Sequence, residues 1–279
     1  MSWPRSEVLG NMLRGNNLGL VVPQRVEYQG PWKHAFVTDA IIEHVAVSSK
    51  TVDFLFPLYL YVEPKKVPKA DQEMLLPDDE EVRKTPNISP ALTAALSVQY
   101  GEEPTPEDIF HYCYAVIFAP SYRKKFEAFL KMDFPQIPFT KDHSTFTKMV
   151  EYGKKLVELH LLESKDLNQP LVRYQGTGDN TIEKVDPKDA EKRVYINDSK
   201  YFEGIDPEVY DYDIGGYRVL ESYLKERKKR GYLDSDLDEP KTFCRIATAL
   251  AKTIEIQREI DAIYPEVEKS VIKPPRAKS

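Results

Sequence analysis

The sequence predicts an α+β (mixed α/β) fold, and three observations support this class. Residues 1–62 hold short apolar runs rich in β-branched residues, with turn residues between them, which predicts strands. Apolar residues then recur at helical spacing from about residue 90 to about residue 163. Strand-like segments and then helical segments follow once more. This order differs from a regular βαβ alternation, so we expect strands and helices to occupy separate parts of the fold.

The N-terminal part, residues 1–62, is predicted to be β-rich. Three short apolar runs are the strand candidates: residues 18–22, 35–37 and 41–47. Residues 54–62 are apolar on both faces, which predicts a central strand. Residues 63–89 contain several prolines and many charges, and we expect a linker or a surface loop there.

The following part, residues 90–279, is predicted to be helical and α+β, and to form one continuous domain with residues 1–62. Ser89 is expected to cap a short helix over residues 90–100. A central helical hairpin is predicted over residues 105–139. Thr105 suits the cap of its first helix, and Pro106 suits the first turn, where an amide donor is not needed.

The second helix of the hairpin is expected to begin where Pro120 ends the first one, with Ser121 as its cap. We expect this helix to point its apolar residues inward and its basic residues outward. The inward residues would be Phe126, Phe129 and Leu130, and the outward residues Arg123, Lys124, Lys125 and Lys131. Two prolines make the following loop, residues 134–139, extended.

The remaining sequence predicts one more central helix, a second small sheet and C-terminal helices. The predicted helices cover residues 144–163, 217–230 and 241–264. The predicted strands cover residues 171–174, 182–185 and 193–196. Residues 212–214 lead into the glycine pair before the helix at 217–230. A glycine-rich turn over residues 176–180 joins the first two of these strands.

Several segments of the chain resemble one known family. The hairpin reads YAVIFAPSYRKKF and then FLKMDFPQIPF. Five further segments match in family order: NNLGLVVPQR, WKHAFVTD, FPLYLY, RVYIN and YDIGGYRVLESYLKERKKR. Together they resemble the C-terminal target-recognition region of Type ISP and Type IIG-like restriction-modification enzymes and related adenine-specific DNA methyltransferases.

The resemblance implies a domain that recognises a DNA target sequence. Its partners would be double-stranded DNA and an adenine-N6 methyltransferase domain or subunit, and its location would be the cytoplasm. S-adenosylmethionine would be the cofactor of that methyltransferase part, and no cofactor is expected in this chain.

The catalytic motifs of that family are absent from this sequence. There is no glycine-rich loop for S-adenosylmethionine and no Asn-Pro-Pro-Tyr-type motif, which would hold a flipped adenine. There is also no Walker A motif and no helicase signature. We therefore expect the chain to lack catalysis of its own. It would be a fragment or a recognition subunit of a DNA methyltransferase or restriction enzyme.

Metal, disulfide and membrane functions have little support in the sequence. Cys113 and Cys244 lie in apolar helical patterns, which predicts buried free thiols in a reducing compartment. His111 and Cys113 fall on different faces of a helix, so no metal site is predicted. No apolar run is long enough to span a membrane.

The candidate DNA-binding residues form three groups. Arginine, glutamine and asparagine can bind base edges, and lysine and arginine can bind phosphates. The first loop supplies Arg25, Lys33 and His34, the second supplies Arg173, Gln175 and Asn180, and one helix end supplies Lys225, Arg227, Lys228, Lys229 and Arg230. Each group has an equally plain alternative. The loops would be ordinary surface loops, and the basic helix end would complement the helix dipole.

The charge of the whole chain favours a competing interpretation. The formal net charge is −6, and this excess of carboxylates opposes binding to a polyanion. The alternative function is a protein-interaction or scaffold module that keeps the same fold and does not contact DNA.

Overall fold

The computed structural model describes residues 6–43, 46–47, 51–62 and 82–273. A short helix, α1 (Ser6–Leu9), continues as a 3-10 turn over Gly10–Leu13 and leads into a three-stranded antiparallel sheet. The strands of this first sheet are β1 (Gly19–Pro23), β2 (Phe36–Thr38) and β3 (Asp53–Pro57), in the order β2-β1-β3. The strands predicted at residues 18–22 and 35–37 are confirmed, each displaced by one residue.

The central strand predicted over residues 54–62 is wrong. β3 lies at an edge of the first sheet, and β4 (Tyr59–Val62) pairs with β5 (Arg83–Pro86) in a separate two-stranded sheet. Pro57 is the last residue of β3, and Leu58 separates it from β4. β5 also lies within the predicted linker at residues 63–89. That prediction is therefore wrong for this strand, while residues 63–81 lie outside the described residues.

The strand predicted over residues 41–47 does not form in the described part of that segment. Residues 41–43 and 46–47 have no strand partner, and residues 44–45 lie outside the described residues. The amide of Val47 donates to the Asp53 carboxylate at 2.6 Å. A side chain therefore takes the hydrogen bond that a neighbouring strand would otherwise accept.

The centre of the molecule is helical, as the apolar spacing predicts. Its helices are α2 (Pro90–Tyr100), α3 (Pro106–Phe118), α4 (Pro120–Lys125), α5 (Glu127–Leu130) and α6 (His143–His160). Thr105 caps α3 as predicted. Its hydroxyl oxygen accepts the Asp108 amide at 3.1 Å, and the Asp108 carboxylate accepts the Thr105 amide at 3.0 Å. This reciprocal pair satisfies two amides at the start of the helix.

The second helix of the hairpin differs from its prediction in four ways. It is divided into α4 and α5, and Ala119 rather than Ser121 is its N-cap. The Ser121 amide instead donates to the Asp261 carboxylate at 2.6 Å. Arg123, expected to point outward, is buried with only 8% of its surface exposed. Phe129, expected in the core, is half-buried.

A second antiparallel sheet begins after the central helices. Its strands are β6 (Arg173–Gly176), β7 (Asp186–Lys188), β8 (Arg193–Tyr195) and β9 (Lys200–Glu203), in the order β6-β9-β8-β7. β9 was not predicted. The strand predicted at residues 182–185 is wrong. The amides of Glu183 and Lys184 both donate to the Ile196 carbonyl, at 2.8 and 3.0 Å, which is not a ladder geometry.

The C-terminal elements follow the predicted order. They are α7 (Pro207–Tyr210), the small hairpin of β10 (Asp213–Ile214) and β11 (Tyr217–Arg218), α8 (Val219–Arg230) and the long α9 (Glu239–Lys269). Within the described residues, the buried side chains form two clusters. The C-terminal half of α9 packs in the first cluster with α3 and α6, and its N-terminal half packs in the second with the second sheet and α8. The α+β class is confirmed.

A buried polar chain joins the three long helices of the first cluster. The Tyr114 hydroxyl lies 2.7 Å from His160 Nδ1, and His160 Nε2 lies 3.0 Å from the Thr253 hydroxyl. Thr253 donates to the Ala249 carbonyl at 2.8 Å, so it accepts from His160, whose Nδ1 then accepts from Tyr114. Burial lowers the pKa of His160 to about 3. The ring is therefore neutral and fully hydrogen-bonded.

Candidate nucleic-acid interface

The outer surface of the second sheet brings together residues from three strands. Arg173, Glu203 and Arg193 face one another across β6, β9 and β8, as do Gln175, Tyr201 and Tyr195. The row between them points the other way, since successive side chains alternate between faces. Its Phe202 and Val194 are only 0% and 1% exposed. We call the outward set the sheet face: Arg173, Gln175, Arg193, Tyr195, Tyr201 and Glu203.

The charges on the sheet face are only partly paired. Arg193 binds Glu203 through a contact of 2.6 Å and lies 4.5 Å from the ring centre of Tyr201. Tyr195 donates to the Glu191 carboxylate at 2.8 Å. Arg173 is exposed and forms no ion pair with any of the described residues. Arg173 and Gln175, two positions apart on one strand, therefore present a free guanidinium and an amide on the same surface.

The turn at residues 176–180 is attached to the segment that follows α8. Asn180 accepts from the Tyr174 hydroxyl at 2.8 Å and donates to the Ser235 hydroxyl at 2.7 Å. The Leu233 amide donates to the Asn180 carbonyl at 2.9 Å. The structure thus brings the second candidate loop beside the basic helix end. The Asn180 side chain, however, is already held on both sides by protein partners.

The basic residues at the end of α8 are largely neutralised by carboxylates of this chain. Lys225 pairs with Glu221 at 2.8 Å, and Lys229 pairs with Glu226 at 2.7 Å. Arg227 and Arg230 both bind Glu239 at the start of α9. Lys228 is exposed and has no ion pair among the residues that the structure describes. Of the five basic residues, it is the one most available to an external phosphate.

Glu239 holds the end of α8 against α9. Its carboxylate accepts from the Asp234 amide at 2.7 Å as well as from the two arginines. Burial opposes ionisation of this carboxyl, but the hydrogen bonds from Asp234 and Arg230 outweigh it and lower the pKa of Glu239. Arg227 also lies 3.4 Å from the ring centre of Tyr223. Arg227 and Arg230 therefore have a structural role.

The first candidate loop places its three residues in different environments. Arg25 is exposed. Lys33 is half-buried and pairs with Asp213 at 2.5 Å. His34 is completely buried, and burial lowers its pKa to about 4. The expectation that His34 contacts DNA is wrong, because its ring packs against Trp32 and Tyr28 inside the fold.

The three candidate groups lie near the two ends of α8. The first loop contacts the hairpin that precedes α8, because the Gly215 amide donates to the Lys33 carbonyl at 3.0 Å. The second loop and the basic run lie at the opposite end. α8 has 12 residues, which corresponds to roughly 18 Å at about 1.5 Å per residue.

The contribution of β8 and β9 to this surface was not predicted from the sequence. Tyr195, Tyr201 and Arg193 lie on the sheet face because β9 pairs with both β6 and β8. The residues Asn197, Asp198 and Ser199 separate two short apolar runs. Such a cluster of turn formers between two strand-like runs is a hairpin signal and could have located β9.

Other kinds of site find little support in the described residues. Cys113 and Cys244 are both free thiols, as predicted. Among the residues that the structure describes, no three metal-ligating side chains come together. None of the described helices is long and apolar enough to cross a membrane.

These features define the class of this protein: it is an α+β domain that presents polar and aromatic side chains on the exposed face of a sheet. The profile of the Type ISP C-terminal specificity domain matches residues 1–259. The chain therefore belongs to that family, which confirms the resemblance drawn from its sequence segments. No curated protein matches the chain.

Solved structures of similar fold include three large assemblies. The ATP-dependent Type ISP restriction-modification enzyme LlaBIII bound to DNA has a TM-score of 0.64 and 20% identity, over 88% of this chain and 16% of that chain. A nuclease-deletion mutant of the Type ISP enzyme LlaGI in complex with a DNA substrate mimic has a TM-score of 0.58 and 20% identity, and the match covers 89% of this chain and 21% of that chain. The DrdV–DNA complex has a TM-score of 0.69 and 20% identity, and the match covers 93% of this chain and 26% of that chain.

At this level of identity, the likeness shows that the fold is shared. The present chain spans between 16% and 26% of the length of those chains.

Proposed function

We propose that this chain is the DNA target-recognition domain of a restriction-modification enzyme. The observation that carries the proposal is the match to the Type ISP specificity domain over residues 1–259. The three similar structures, which are complexes with DNA or a DNA mimic, support it. The chain would bind and position double-stranded DNA for chemistry that takes place elsewhere.

The chemistry would belong to an adenine-N6 methyltransferase part that uses S-adenosylmethionine. The sequence lacks the motifs for that cofactor, so we expect the purified chain to give no saturable heat when titrated with it in a calorimeter. Saturable heat at micromolar concentration would contradict this division of roles. Because such an enzyme acts on DNA inside the cell, the proposal includes a cytoplasmic location.

The arrangement of the surface supports contact with a single duplex. Arg173 and Gln175 have the side-chain chemistry that binds guanine and adenine edges, and they project from one surface. Lys228 offers a free ammonium group for a phosphate. The two ends of α8 lie roughly 18 Å apart, which corresponds to about five base pairs at about 3.4 Å each.

The proposal is tested by selecting duplexes from a randomised library with the purified chain and measuring affinity by fluorescence anisotropy. Lys228→Gln should weaken binding to enriched and random sequences alike. It should also reduce the slope of log K against log salt by roughly 0.9. Arg173→Ala should cost about 1–3 kcal/mol on the enriched sequence and much less on random DNA.

Lys148→Gln is the matched control, because Lys148 is exposed and lies on α6, which contributes no residue to the sheet face. It should leave both affinities unchanged. Failure to enrich any sequence would contradict target recognition by this chain.

The second candidate function is a scaffold or protein-interaction module. It is favoured by the net charge of −6 and by the carboxylate partners of four of the five basic residues at the end of α8. This function predicts no duplex binding even at low salt, together with stable association with the methyltransferase part. Binding whose affinity falls steeply with salt would exclude it.

A further inference from the structure

A cavity of about 600 Å³ opens where the first loop, α4 and the segment after α7 meet. Its lining includes Trp32, Lys33, Arg123, Lys124, Tyr212 and Gln257. This cavity is separate from the sheet face. Apart from Lys33, none of the candidate DNA-binding residues lines it.

Arg123 is the unusual member of the lining. Its Nε donates to the Ile117 carbonyl at 2.6 Å, and its guanidinium lies 4.4 Å from the ring centre of Phe118. The hydroxyl of Tyr212 is a further hydrogen-bond partner. The Nη2 atom of Arg123 is buried and has no hydrogen-bond partner. A guanidinium buried in this way is strongly unfavourable unless an opposite charge accompanies it.

The carboxylates around the cavity do not provide that charge, because each already has a cation. Glu127 pairs with Lys131 at 2.7 Å, and Glu208 pairs with Arg258 at 2.6 Å. Asp211 pairs with Arg218 at 3.2 Å.

Asp213, which acts on Arg123 at longer range, is paired with Lys33. Lys124, exposed at the rim, forms no ion pair with any described residue. Two positive charges therefore remain uncompensated at this cavity.

A second unpaired donor lies beside Arg123. Trp32 is 1% exposed, and its Nε1 is buried without a hydrogen-bond partner. The Arg123 guanidinium lies 5.8 Å from the ring centre of Trp32. Two neighbouring side chains thus carry unused N–H donors, which calls for an acceptor with more than one oxygen.

We infer that this cavity is a binding site for a phosphate group, held by Arg123 and Trp32 with Lys124 at the rim. A phosphate has several strong acceptor oxygens, and its geometry matches the fork of a guanidinium. The cavity is larger than a phosphate ion, so a phosphate attached to a nucleoside or to a DNA strand also fits. The inference does not depend on DNA recognition by the sheet face.

The test uses Trp32 as its reporter. The chain has two tryptophans, Trp3 and Trp32, so Trp3→Phe leaves Trp32 as the single source of tryptophan fluorescence. In this background, inorganic phosphate and adenosine monophosphate are titrated separately at constant ionic strength. We expect a saturable change in fluorescence with both ligands, and none with chloride.

Variants of the lining residues test whether the phosphate-dependent change in fluorescence arises at this cavity. Arg123→Met should weaken phosphate binding at least tenfold, Lys124→Gln should weaken it severalfold, and Lys148→Gln should leave it unchanged. If Arg123→Met does not fold, thermal unfolding carries the test. Phosphate should then raise the Tm of the Trp3→Phe protein more than chloride does, and Lys124→Gln should reduce that rise. No saturable change with phosphate, or equal responses in the lining variants and the control, would overturn the inference.

A competition experiment identifies the source of the phosphate. Displacement of adenosine monophosphate by duplex DNA would assign the site to a backbone phosphate. Undiminished binding in the presence of saturating DNA would assign it to a free phosphate compound. Both results support a phosphate site, and neither requires the chain to recognise a DNA sequence.

Discussion

Acidification should destabilise the protein through His160. Burial depresses the pKa of His160 to about 3, whereas an unfolded histidine titrates near 6.5. The unfolded state therefore binds more protons below pH 6.5, and stability is lost as pH falls from 6.5 toward the folded pKa. Between pH 7 and pH 5 this single group should cost about 2 kcal/mol of unfolding free energy. The figure holds for any folded pKa well below 5.

The measurement is urea unfolding of the wild-type chain and of His160→Gln at pH 7, 6 and 5. The glutamine variant should be less stable at pH 7, because it breaks the chain from Tyr114 to Thr253. Its loss of stability between pH 7 and pH 5, however, should be smaller by about 2 kcal/mol.

Leu156→Ala is the control, because Leu156 is buried on the same helix and does not titrate. It should lower stability without changing the pH dependence. Equal pH dependence in wild type and His160→Gln would show that His160 is not held neutral, and the reasoning would be refuted.

Three further predictions concern packing and charge. Glu239→Gln removes the charged partner of Arg227 and Arg230 and should lower the free energy of unfolding by about 1–3 kcal/mol, measured by urea unfolding. An unchanged urea midpoint would show that these ion pairs do not contribute to stability. Leu130→Ala should lower the free energy of unfolding by about 2–5 kcal/mol, because Leu130 is fully buried. Phe129→Ala should lower it by only about 1–3 kcal/mol, because Phe129 is half-buried. A larger loss for Phe129→Ala would mean that α5 is rotated about its axis. Gly153→Ala would place a Cβ 1.8 Å from the His111 carbonyl oxygen. It should therefore lower the free energy of unfolding by about 2 kcal/mol or more, measured by thermal unfolding. Stability equal to that of the wild type would show that α3 and α6 pack less closely.

The charge distribution limits how strongly the domain can bind DNA by itself. Lysines and arginines at the end of α8 look like a phosphate-binding patch in sequence, but Glu221, Glu226 and Glu239 neutralise most of them. Contact with DNA would either break these pairs or leave them intact. If they stay intact, fewer counterions are released and the salt dependence is weak. A small salt slope is therefore compatible with sequence recognition through the sheet face.

Features that depend on neighbours close in the chain can be read from the sequence. Thr105 and Pro106 locate the start of α3, because a helix cap involves residues only a few positions apart. The α+β class and the family followed from runs and segments that can be read in order. The position of α6 followed from apolar spacing, and the position of α2 followed from Ser89 as its N-cap.

Contacts between side chains that are distant in the chain became visible only in the folded structure. Arg123 follows a proline and precedes two lysines, so local rules place it outward, yet contacts with Trp32 and Phe118 bury it. The sheet face required the pairing of β9 with β6, whose paired residues lie 24 to 30 positions apart in the chain. Glu239 neutralises arginines 9 and 12 residues before it because α9 turns back along α8. Burial and charge pairing depend on such distant contacts, and spacing along the chain does not encode them.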